Sequence, residues 1–435
     1  ISPNKVHSVA EFYSFLYTAP RGCYDILFSD NITDRMLGNR ELLHYLCDRL
    51  GVGIGEMRAD GTVTVGATSC TGMRDQGPAA LVNGYTLTRL DKSRLDRIAE
   101  LVESRTPLEQ WPREFFEVSS NIRRADILLG RHFADGAALR AVLKRGPEAI
   151  LEEMIKSGLR GQGGAGFKLA AKWASCRNAP GDVRYVVCNA DEGEPGTFKD
   201  RVLMQDFADL VFEGMTLCGR VIGAHHGFVY LRGEYRYLLD SLKATLQRRR
   251  DAGLLGMGIL GDPTFNFDID IHLGAGAYVC GEESALIESL EGKHGVPRIR
   301  PPFPTTHGYL NKPTVVNNVE TFATAAKIAV EGGNWFASRG TAESKGTKLL
   351  SLSGDCERPG IYEYPFGVTV RRVLEDCGAR DAQGIQMAGP AGHMISAREF
   401  DRRICFEDLA TGGSFMVFDQ SRDILDGIRN FTHFF

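Results

Sequence analysis

The 435-residue sequence contains no C-x-x-C pair among its ten cysteines. The spacing of a complete zinc or iron–sulfur motif is therefore absent from these residues. The cysteines are scattered along the chain, which argues against a disulfide framework and for reduced, mostly buried thiols. Thiols of this kind indicate a cytoplasmic protein.

A strong net charge and long apolar runs are also missing. The formal net charge is −4, which gives no reason to expect a nucleic acid or an anionic membrane as partner. No apolar run approaches the ~20 residues of a membrane span, and the N-terminus has no secretory segment. Because the first residue is Ile1 and not Met, we expect a fragment or a processed chain.

Glycine, in contrast, is concentrated at 161–166, where four of six positions are glycine. Such a bare backbone can approach a phosphate or a flat ring closely. The spacing G-x-G-x-x-G is present, but apolar side chains at helical spacing precede it at 148–158. The usual dinucleotide fingerprint follows a strand, so this context does not indicate an ordinary nicotinamide dehydrogenase.

Three acids, Asp191, Glu192 and Glu194, come directly after an apolar run at 185–188. In an open α/β sheet, the carboxyl end of a strand delivers residues to a ligand. Lys172 follows the glycine-rich segment closely enough for a cation to reach a phosphate. The acids and the glycines together predict a nucleotide or flavin site.

Two asparagines, Asn317 and Asn318, stand at the start of a predicted helix. Either side chain can serve as the N-cap of that helix or as a hydrogen-bonding platform for a ligand. The sequence leaves both interpretations open.

Periodicity predicts an α/β protein of about three domains. Between 146 and 335 strands alternate with helices, among them a helix at 201–222 and a strand at 267–273 with one polar face, which predicts a mostly parallel sheet with helices on both faces. In the unit before them, Asn83-Gly84 predicts a hairpin turn. The predicted parts are a small α/β unit at 1–110, a linker at 111–145, the alternating domain at 146–340, a β-grasp-like domain at 341–418 and the start of a helical domain at 419–435.

The motifs resemble those of the flavoprotein subunit shared by respiratory NADH dehydrogenases, NAD-reducing hydrogenases and NAD-dependent formate dehydrogenases. The resemblance implies a Rossmann-like FMN- and NADH-binding domain, a β-grasp domain of the soluble-ligand-binding type and a helical [4Fe–4S] domain whose cluster is expected just beyond residue 435. The resemblance extends over 146–435 and rests on five ordered segments, 157–167, 189–200, 274–283, 301–304 and 316–321.

The implied activity is hydride transfer between NAD(H) and FMN, with FMN converting two-electron into one-electron transfer along iron–sulfur clusters. Stacking and orientation at ~3–3.5 Å suffice for this step, so no catalytic side chain is expected, and Glu192 and Glu194 are the nearest candidates. The residues implied to hold FMN are Gly161, Gln162, Gly163, Lys172, Asn189, Asp191, Glu192, Glu282, Glu283, Asn317 and Asn318. Those implied to bind NAD are Gly164, Ala165, Gly166, Phe167, Glu194, Tyr278, Arg300 and Phe303.

Two positions depart from the family pattern. Gln162 stands where the family usually has Arg, and Arg300 stands where at least one branch has Lys. Both changes alter charge or geometry near the expected nucleotide phosphates. We expect them to shift NAD affinity without abolishing it.

The N-terminal unit resembles the thioredoxin-like subunit that carries a [2Fe–2S] cluster in respiratory complexes. The four ligand positions correspond here to Ser29, Asp34, Cys70 and Arg74. One thiolate cannot hold a cluster that needs four ligands. We therefore expect a structural, cluster-free domain with Cys70 as a remnant, and no metal site within the chain.

The fusion of a cluster-free unit to the flavin domain resembles most the diaphorase flavoprotein subunit of soluble NAD-reducing [NiFe] hydrogenases. The implied partners are the other diaphorase iron–sulfur subunit and the small and large hydrogenase subunits. The flavoproteins of NAD-dependent formate dehydrogenase and of respiratory complex I are the alternatives. An alternative of another class is a nucleotide-binding scaffold without catalysis, because a fold does not fix a function.

Overall fold

The computed structural model describes residues 2–434, and three β-sheets organise them. The N-terminal sheet has the strand order β2-β1-β3-β4, with β1 parallel to β2 and antiparallel to β3. Its elements are α1 (Pro3–Phe12), β1 (Tyr24–Ser29), α2 (Ile32–Met36), α3 (Asn39–Leu50), β2 (Val63–Thr68), β3 (Ala80–Val82), β4 (Tyr85–Leu87) and α4 (Lys92–Glu103).

The hairpin between β3 and β4 turns at Asn83 and Gly84, whose φ angles are 49° and 81°. Both residues are left-handed, as a two-residue turn between twisted strands requires. The predicted Asn-Gly turn is therefore confirmed. Helices α3 and α4 cover the sheet with buried side chains such as Leu46 and Ile98.

The segment 111–145 is more structured than the linker predicted for it. It contains strand β5 (Ile122–Arg124) and helix α5 (Ala137–Arg145). The sequence of this segment shows little periodicity, because the segment is ordered by contacts with elements that are distant in the chain.

The central sheet is fully parallel, with strand order β8-β7-β6-β9. The predicted single helix at 201–222 is two helices, because Phe207 leaves helical geometry at φ −128° and ψ 24°. The elements are α6 (Pro147–Ser157), α7 (Leu169–Asn178), β6 (Tyr185–Ala190), α8 (Lys199–Asp206), α9 (Ala208–Ile222), β7 (His226–Leu231), α10 (Leu239–Asp251), β8 (Asp268–Leu273), α11 (Glu283–Leu290), α12 (Pro304–His307), β9 (Thr314–Asn318), α13 (Val319–Glu331) and α14 (Gly333–Ala337).

The third sheet is mixed, with strand order β13-β12-β14-β10-β11-β5. A single helix, α15, packs on it through buried Val373 and Leu374. Its elements are β10 (Thr347–Gly354), β11 (Gly360–Pro365), α15 (Val370–Cys377), β12 (Ala382–Met387), β13 (His393–Ser396) and β14 (Ser414–Asp419), and α16 (Ile424–Phe434) follows them.

Tertiary contacts explain the order in segment 111–145. Strand β5 pairs with β11 at the edge of the third sheet, and α5 packs against α9 and α13. The buried carboxylate of Glu363 on β11 accepts hydrogen bonds from the backbone N–H groups of Asp126, Leu128 and Leu129 at 2.7–2.9 Å. The linker prediction is therefore corrected, since these partners are distant in sequence.

The first helix also docks away from its own sheet. The Tyr13 hydroxyl donates to Ser289 Oγ at 2.8 Å and to the Lys293 carbonyl at 2.7 Å, beside α11. The backbone N–H of Phe15 donates to the Ala275 carbonyl at 3.0 Å. These contacts join the N-terminal unit to the loop that follows β8.

No helix within residues 2–434 combines the length and the apolar character needed to cross a bilayer.

Candidate nucleotide-binding site

Two adjoining cavities open where β6 and β9 end. The register pairs Asn189 with Asn318, so the two strands deliver their last polar residues to one place. The first cavity measures about 560 Å³ and the second about 550 Å³, sizes typical of cofactor sites. Both are lined by Gly163, Asn189, Gly281, Glu282 and Asn318.

Sixteen of the nineteen residues predicted from the sequence line these cavities. In addition to the shared residues, the first cavity has Gly161, Ala165, Gly166, Phe167, Lys172, Glu283, Arg300, Phe303 and Asn317. The second has Glu192, Glu194 and Tyr278. The three predicted residues that are not part of either lining are Gln162, Gly164 and Asp191.

The glycine-rich loop closes on itself before α7. The Gly161 N–H donates to the Phe167 carbonyl at 2.8 Å, and Gly166 adopts a φ of +64°. A Cβ at Gly166 would lie 2.5 Å from the Phe406 ring, so glycine is required there. The loop thus presents bare backbone to the first cavity.

Gln162 supports this loop from behind. Its backbone N–H donates to Thr321 Oγ1 at 2.9 Å, and its carbonyl accepts from Lys348 Nζ at 2.7 Å. Its buried side chain donates to the Arg160 carbonyl at 3.2 Å. The bonds to Thr321 and Lys348 use the Gln162 backbone, and the side-chain oxygen Oε1 is buried without a hydrogen-bond partner within residues 2–434.

The two asparagines after β9 have different roles. Asn318 Oδ1 caps α13 by accepting from the Glu320 N–H at 3.0 Å, and Asn318 Nδ2 donates to Asp200 at 2.6 Å. Asn317 is buried, and its Oδ1 has no hydrogen-bond partner within residues 2–434. Asn318 is the helix cap, and Asn317 is available to a ligand.

Two cations and two acids neutralise each other beside the first cavity. Lys172 Nζ lies 2.8 Å from Glu283 Oε2, and Arg300 lies 3.0 Å from Glu282 and 3.6 Å from Glu283. Glu282 also caps α11 by accepting from the N–H groups of Ser284 and Ala285. A bound phosphate would compete with these carboxylates for Lys172 and Arg300.

Asp191 and Glu194 each have one buried carboxylate oxygen without a partner, and of the two only Glu194 lines the second cavity. Asp191 Oδ2 and Glu194 Oε1 have no hydrogen-bond partner in the described part of the chain. Burial raises the pKa of Asp191 to about 8 against the opposing effect of Arg232, and burial also raises the pKa of Glu194. Asp191 Oδ2 lies behind Gly281, which forms part of the cavity wall. A Cβ placed on Gly281 would lie 3.7 Å from this oxygen.

Glu192 lines the same cavity, but its carboxylate is occupied. Oε1 and Oε2 accept from the backbone N–H groups of Asp200 and Arg201 at 2.7 and 3.0 Å, and Oε2 also accepts from the Tyr235 hydroxyl at 2.8 Å. These groups belong to the first turn of α8, so Glu192 acts as an anion at a helix N-terminus. Burial raises the pKa of Glu192 to about 7.

Three aromatic side chains remain partly exposed at the rim. Phe167, Phe303 and Tyr278 are 58%, 54% and 44% exposed. Exposed aromatic faces beside a cavity suit the stacking of a planar ring.

Several lining residues were not predicted from the sequence. Lys199, completely buried, bonds Asp200 at 2.7 Å, Glu320 at 3.1 Å and Asn318 at 3.2 Å, and it belongs to a motif already noted at 189–200. Gly412 comes from the third sheet's domain, and no local signal indicated it. Gly281 and Asp200 lie within noted motifs but were not singled out.

The residues present fit an FMN group. Bare glycine backbone, the unpartnered oxygen of Asn317 and a cation, Lys172, surround a cavity of cofactor size. Unpaired buried polar atoms are costly unless a ligand satisfies them.

The four positions of the lost [2Fe–2S] site do come together. Asn31 Nδ2 lies 2.5 Å from Ser29 Oγ, 2.5 Å from Asp34 Oδ2 and 3.7 Å from Cys70 Sγ, and Arg74 Nε lies 3.3 Å from Cys70 Sγ. Only one of the four is a thiol, and an amide and a guanidinium fill the space between them. These residues do not fit a [2Fe–2S] cluster.

The fold and the cavities define a nucleotide-binding α/β domain joined to a thioredoxin-like domain, and two family models match accordingly. The Nuo51 FMN-binding domain matches residues 154–327, and the thioredoxin-like [2Fe–2S] ferredoxin matches residues 1–103.

Individual relatives give the same picture. The NAD-reducing hydrogenase HoxS subunit alpha of Cupriavidus necator is 44% identical over the whole chain, which covers 74% of that protein. One subunit of the Escherichia coli NADH-quinone oxidoreductase is 39% identical over 68% of the chain and 69% of its own length. A crystal structure of an NAD⁺-reducing [NiFe]-hydrogenase in the air-oxidized state is similar to the chain, with a TM-score of 0.94 and 42% identity. The match covers all of this chain and 75% of the chain in that structure.

The chain belongs to the flavoprotein family that includes the HoxS alpha protein of the Cupriavidus necator NAD-reducing hydrogenase and its relative in the Escherichia coli NADH-quinone oxidoreductase.

Proposed function

We propose that the chain is the NADH/NAD⁺ oxidoreductase (diaphorase) module of a multisubunit NAD-reducing hydrogenase. The observation that carries this function is the pair of cavities that share a wall of five residues. Two ring systems in adjoining chambers can be brought face to face, which is the geometry that hydride transfer requires. The full-length likeness to a hydrogenase subunit supports the hydrogenase assignment.

The glycine-rich backbone at Gly161 and Gly163, the Lys172 ammonium and the free oxygen of Asn317 would hold the flavin. When bound, FMN supplies a ring that accepts hydride from NADH and passes electrons on singly. The buried Asp191 and the capping Asn318 fix the walls of this site. Gln162 holds the loop through its carbonyl and N–H.

The nucleotide enters past the exposed rings of Phe167, Phe303 and Tyr278, which provide stacking surfaces. Arg300 is drawn from its acidic partners toward the phosphates, and the free oxygen of Glu194 accepts a hydrogen bond from a ribose or amide group. No side chain needs to move a proton. The task of these residues is to orient the nicotinamide and to exclude water.

The partners of the module are the other diaphorase iron–sulfur subunit and the small and large hydrogenase subunits, in the cytoplasm. The N-terminal unit takes no part in electron transfer, because Cys70 is the only thiol among the four residues at the positions that correspond to cluster ligands.

An anaerobic absorbance experiment on the purified assembly tests the diaphorase function. We expect denaturation to release FMN, and we expect NADH to bleach the flavin of the intact protein. Protein without flavin would favour the scaffold alternative. Flavin that NADH does not bleach would contradict the proposed activity.

A further inference from the structure

A loop of the thioredoxin-like domain contacts the residues that hold Glu192, which lines the second cavity. This loop, residues 70–76, touches the flavin domain at three separate points. At each point, the contacted residue of the flavin domain is hydrogen-bonded to Glu192. Asp191 and Glu194, on either side of it in the chain, carry free oxygens.

The first contact runs through Arg232, which follows β7. One guanidinium nitrogen, Nη2, donates to the Cys70 carbonyl at 2.5 Å, and the other, Nη1, donates to the Glu192 carbonyl at 2.7 Å. Glu234 holds the same guanidinium at 2.8 Å. Because Arg232 is buried, its two hydrogen bonds fix the backbone of residue 192 relative to the backbone of residue 70.

The second contact runs through Tyr235. Its hydroxyl donates to Glu192 Oε2, and its ring packs against the bare Cα of Gly72. A Cβ at position 72 would lie 2.5 Å from the Tyr235 hydroxyl oxygen. Any side chain at Gly72 must therefore displace the tyrosine that holds the Glu192 carboxylate.

The third contact is an ion pair between Arg201 and Asp75 at 3.0 Å, with both side chains fully buried. Arg201 lies in the first turn of α8, and its backbone N–H donates to Glu192 Oε2. The ion pair fixes the first turn of α8, whose backbone N–H groups donate to the Glu192 carboxylate.

Glu192 needs this support because its backbone is strained. Its φ is +32°, which a residue with a side chain adopts only when surrounding contacts enforce it. Without them, residues 191–194 would relax toward a different path and move the free oxygens of Asp191 and Glu194.

We propose that loop 70–76 is a positioning element of the nucleotide site, which sets the path of residues 191–194 through Arg232, Tyr235 and Arg201. This inference rests on the proposed NADH-oxidising function. It gives the cluster-free domain a role that requires no metal: the loop that once carried cluster ligands now braces the neighbouring site.

The test compares Gly72→Ala with Gly61→Ala in the full assembly. Both glycines have a positive φ, +77° and +71°, and both belong to the thioredoxin-like domain, but a Cβ at Gly61 meets nothing within 4 Å. The backbone penalty is thus matched, and only Gly72→Ala pushes on Tyr235. We measure KM and kcat for NADH with ferricyanide as acceptor, and the midpoint potential of the flavin.

We expect Gly72→Ala to raise KM for NADH about fivefold or more and to shift the flavin potential. A fivefold change is the lower end of the range over which one site changes the affinity of another. Gly61→Ala should match the wild type in both. Equal behaviour of the two variants would overturn the inference. Wild-type protein that keeps its flavin but does not oxidise NADH would instead overturn the proposed function itself.

A second pair keeps the inference testable if Gly72→Ala does not fold. Tyr235→Phe removes only the hydroxyl that holds Glu192, and Tyr237→Phe removes a hydroxyl whose bond to Gln205 is long, 3.4 Å. We expect a raised KM and a shifted flavin potential for Tyr235→Phe alone. A wild-type KM and potential for Tyr235→Phe would contradict the positioning role.

Discussion

At the residue scale, the site is marked by buried polar atoms that lack partners. Within residues 2–434, Asn317 Oδ1, Asp191 Oδ2 and Glu194 Oε1 make no hydrogen bond. Leaving such an atom unpaired costs about 1–3 kcal/mol, so a ligand that pairs with it gains a comparable amount. Unpartnered buried atoms also occur elsewhere in the chain, so it is the position of Asn317 and Glu194 at the cavities that points to a ligand.

Replacing Asn317 with Leu should weaken flavin binding, because it removes an acceptor and a donor with little change in volume. We expect about a tenfold or greater loss of FMN affinity, measured as flavin retained per protein after gel filtration. Asn334→Leu, at a partly exposed position on α14, is the control and should retain its flavin. Equal flavin content in the two variants would exclude Asn317 as a ligand.

The buried carboxyl of Asp191 should make the stability of the flavin-free protein depend on pH. Burial raises its pKa from 3.8 to about 8, so the folded state keeps a proton that the unfolded state releases above pH ~4. Its contribution is present below the unfolded pKa and is lost as pH rises through the folded pKa. Stability should therefore fall between pH 4 and 8, by up to about 1 kcal/mol per pH unit.

Asp191→Asn removes this titration and should flatten the dependence. Urea unfolding of the flavin-free wild type and variant at pH 5, 6 and 7 measures the difference in slope. The other buried acids of the cavity contribute to both proteins and cancel. Parallel pH profiles would show that Asp191 is ionised in the folded protein.

At the element scale, helix α8 begins with a carboxylate that comes from eight residues upstream. Phe198, its N-cap residue, supplies no side-chain hydrogen bond, and Glu192 satisfies the N–H groups of Asp200 and Arg201 instead. This use of Glu192 differs from the role in nucleotide binding that the motif implies.

Glu192→Gln should therefore lower stability, and Glu194→Gln should change nucleotide binding. Loss of the charge at the α8 N-terminus should lower the free energy of unfolding by about 1–2 kcal/mol. Glu194, with its free oxygen, should keep the stability and raise KM for NADH. The comparison needs urea unfolding and steady-state kinetics of both variants, and the reverse pattern would contradict the assignment.

The sequence predicts elements well where the signal is local. The Asn83–Gly84 turn and the strand at 268–273 with its alternating polar face are both present in the structure. The break at Phe207, the pairing of β5 with β11 and the docking of α1 were not predicted. These features depend on partners distant in sequence, to which periodicity is blind.

The site shows the same division. Motifs at the ends of β6 and β9 are local signals that place their residues at one edge of the sheet, because parallel strands end there together. The separate roles of Asn317 and Asn318, the orientation of Gln162 and the contribution of Gly412 require the fold. Each of these features depends on contacts with residues that are distant in the sequence.

At the scale of the whole molecule, residues of the flavin domain and Gly412 of the third sheet's domain line the cavities, and the thioredoxin-like domain contacts the flavin domain beside them. Lys348 on β10 donates to the Gln162 carbonyl of the glycine-rich loop and to Glu320 on α13 at 2.6 Å, and it is fully buried. Lys199 reaches the same Glu320. Buried charges thus fasten the β-grasp-like domain to the flavin domain directly behind the site.

Lys348→Met should destabilise the protein by about 3–5 kcal/mol, because Glu320 loses one of its two cations in a buried setting. It should also loosen the glycine-rich loop and lower flavin retention. Lys312→Met, at an exposed position before β9, is the control and should change neither. Urea unfolding and flavin content measure both effects, and stability equal to that of the control would contradict the fastening role.

The central claim, that this chain couples NAD(H) to a hydrogenase, is tested most directly on the native assembly under anaerobic conditions. Hydrogen and formate are offered separately, while flavin absorbance and NADH formation are followed. The account predicts flavin bleaching and NADH formation with hydrogen alone. A response to formate and none to hydrogen would contradict the hydrogenase assignment and leave the chain as the flavoprotein of a formate dehydrogenase.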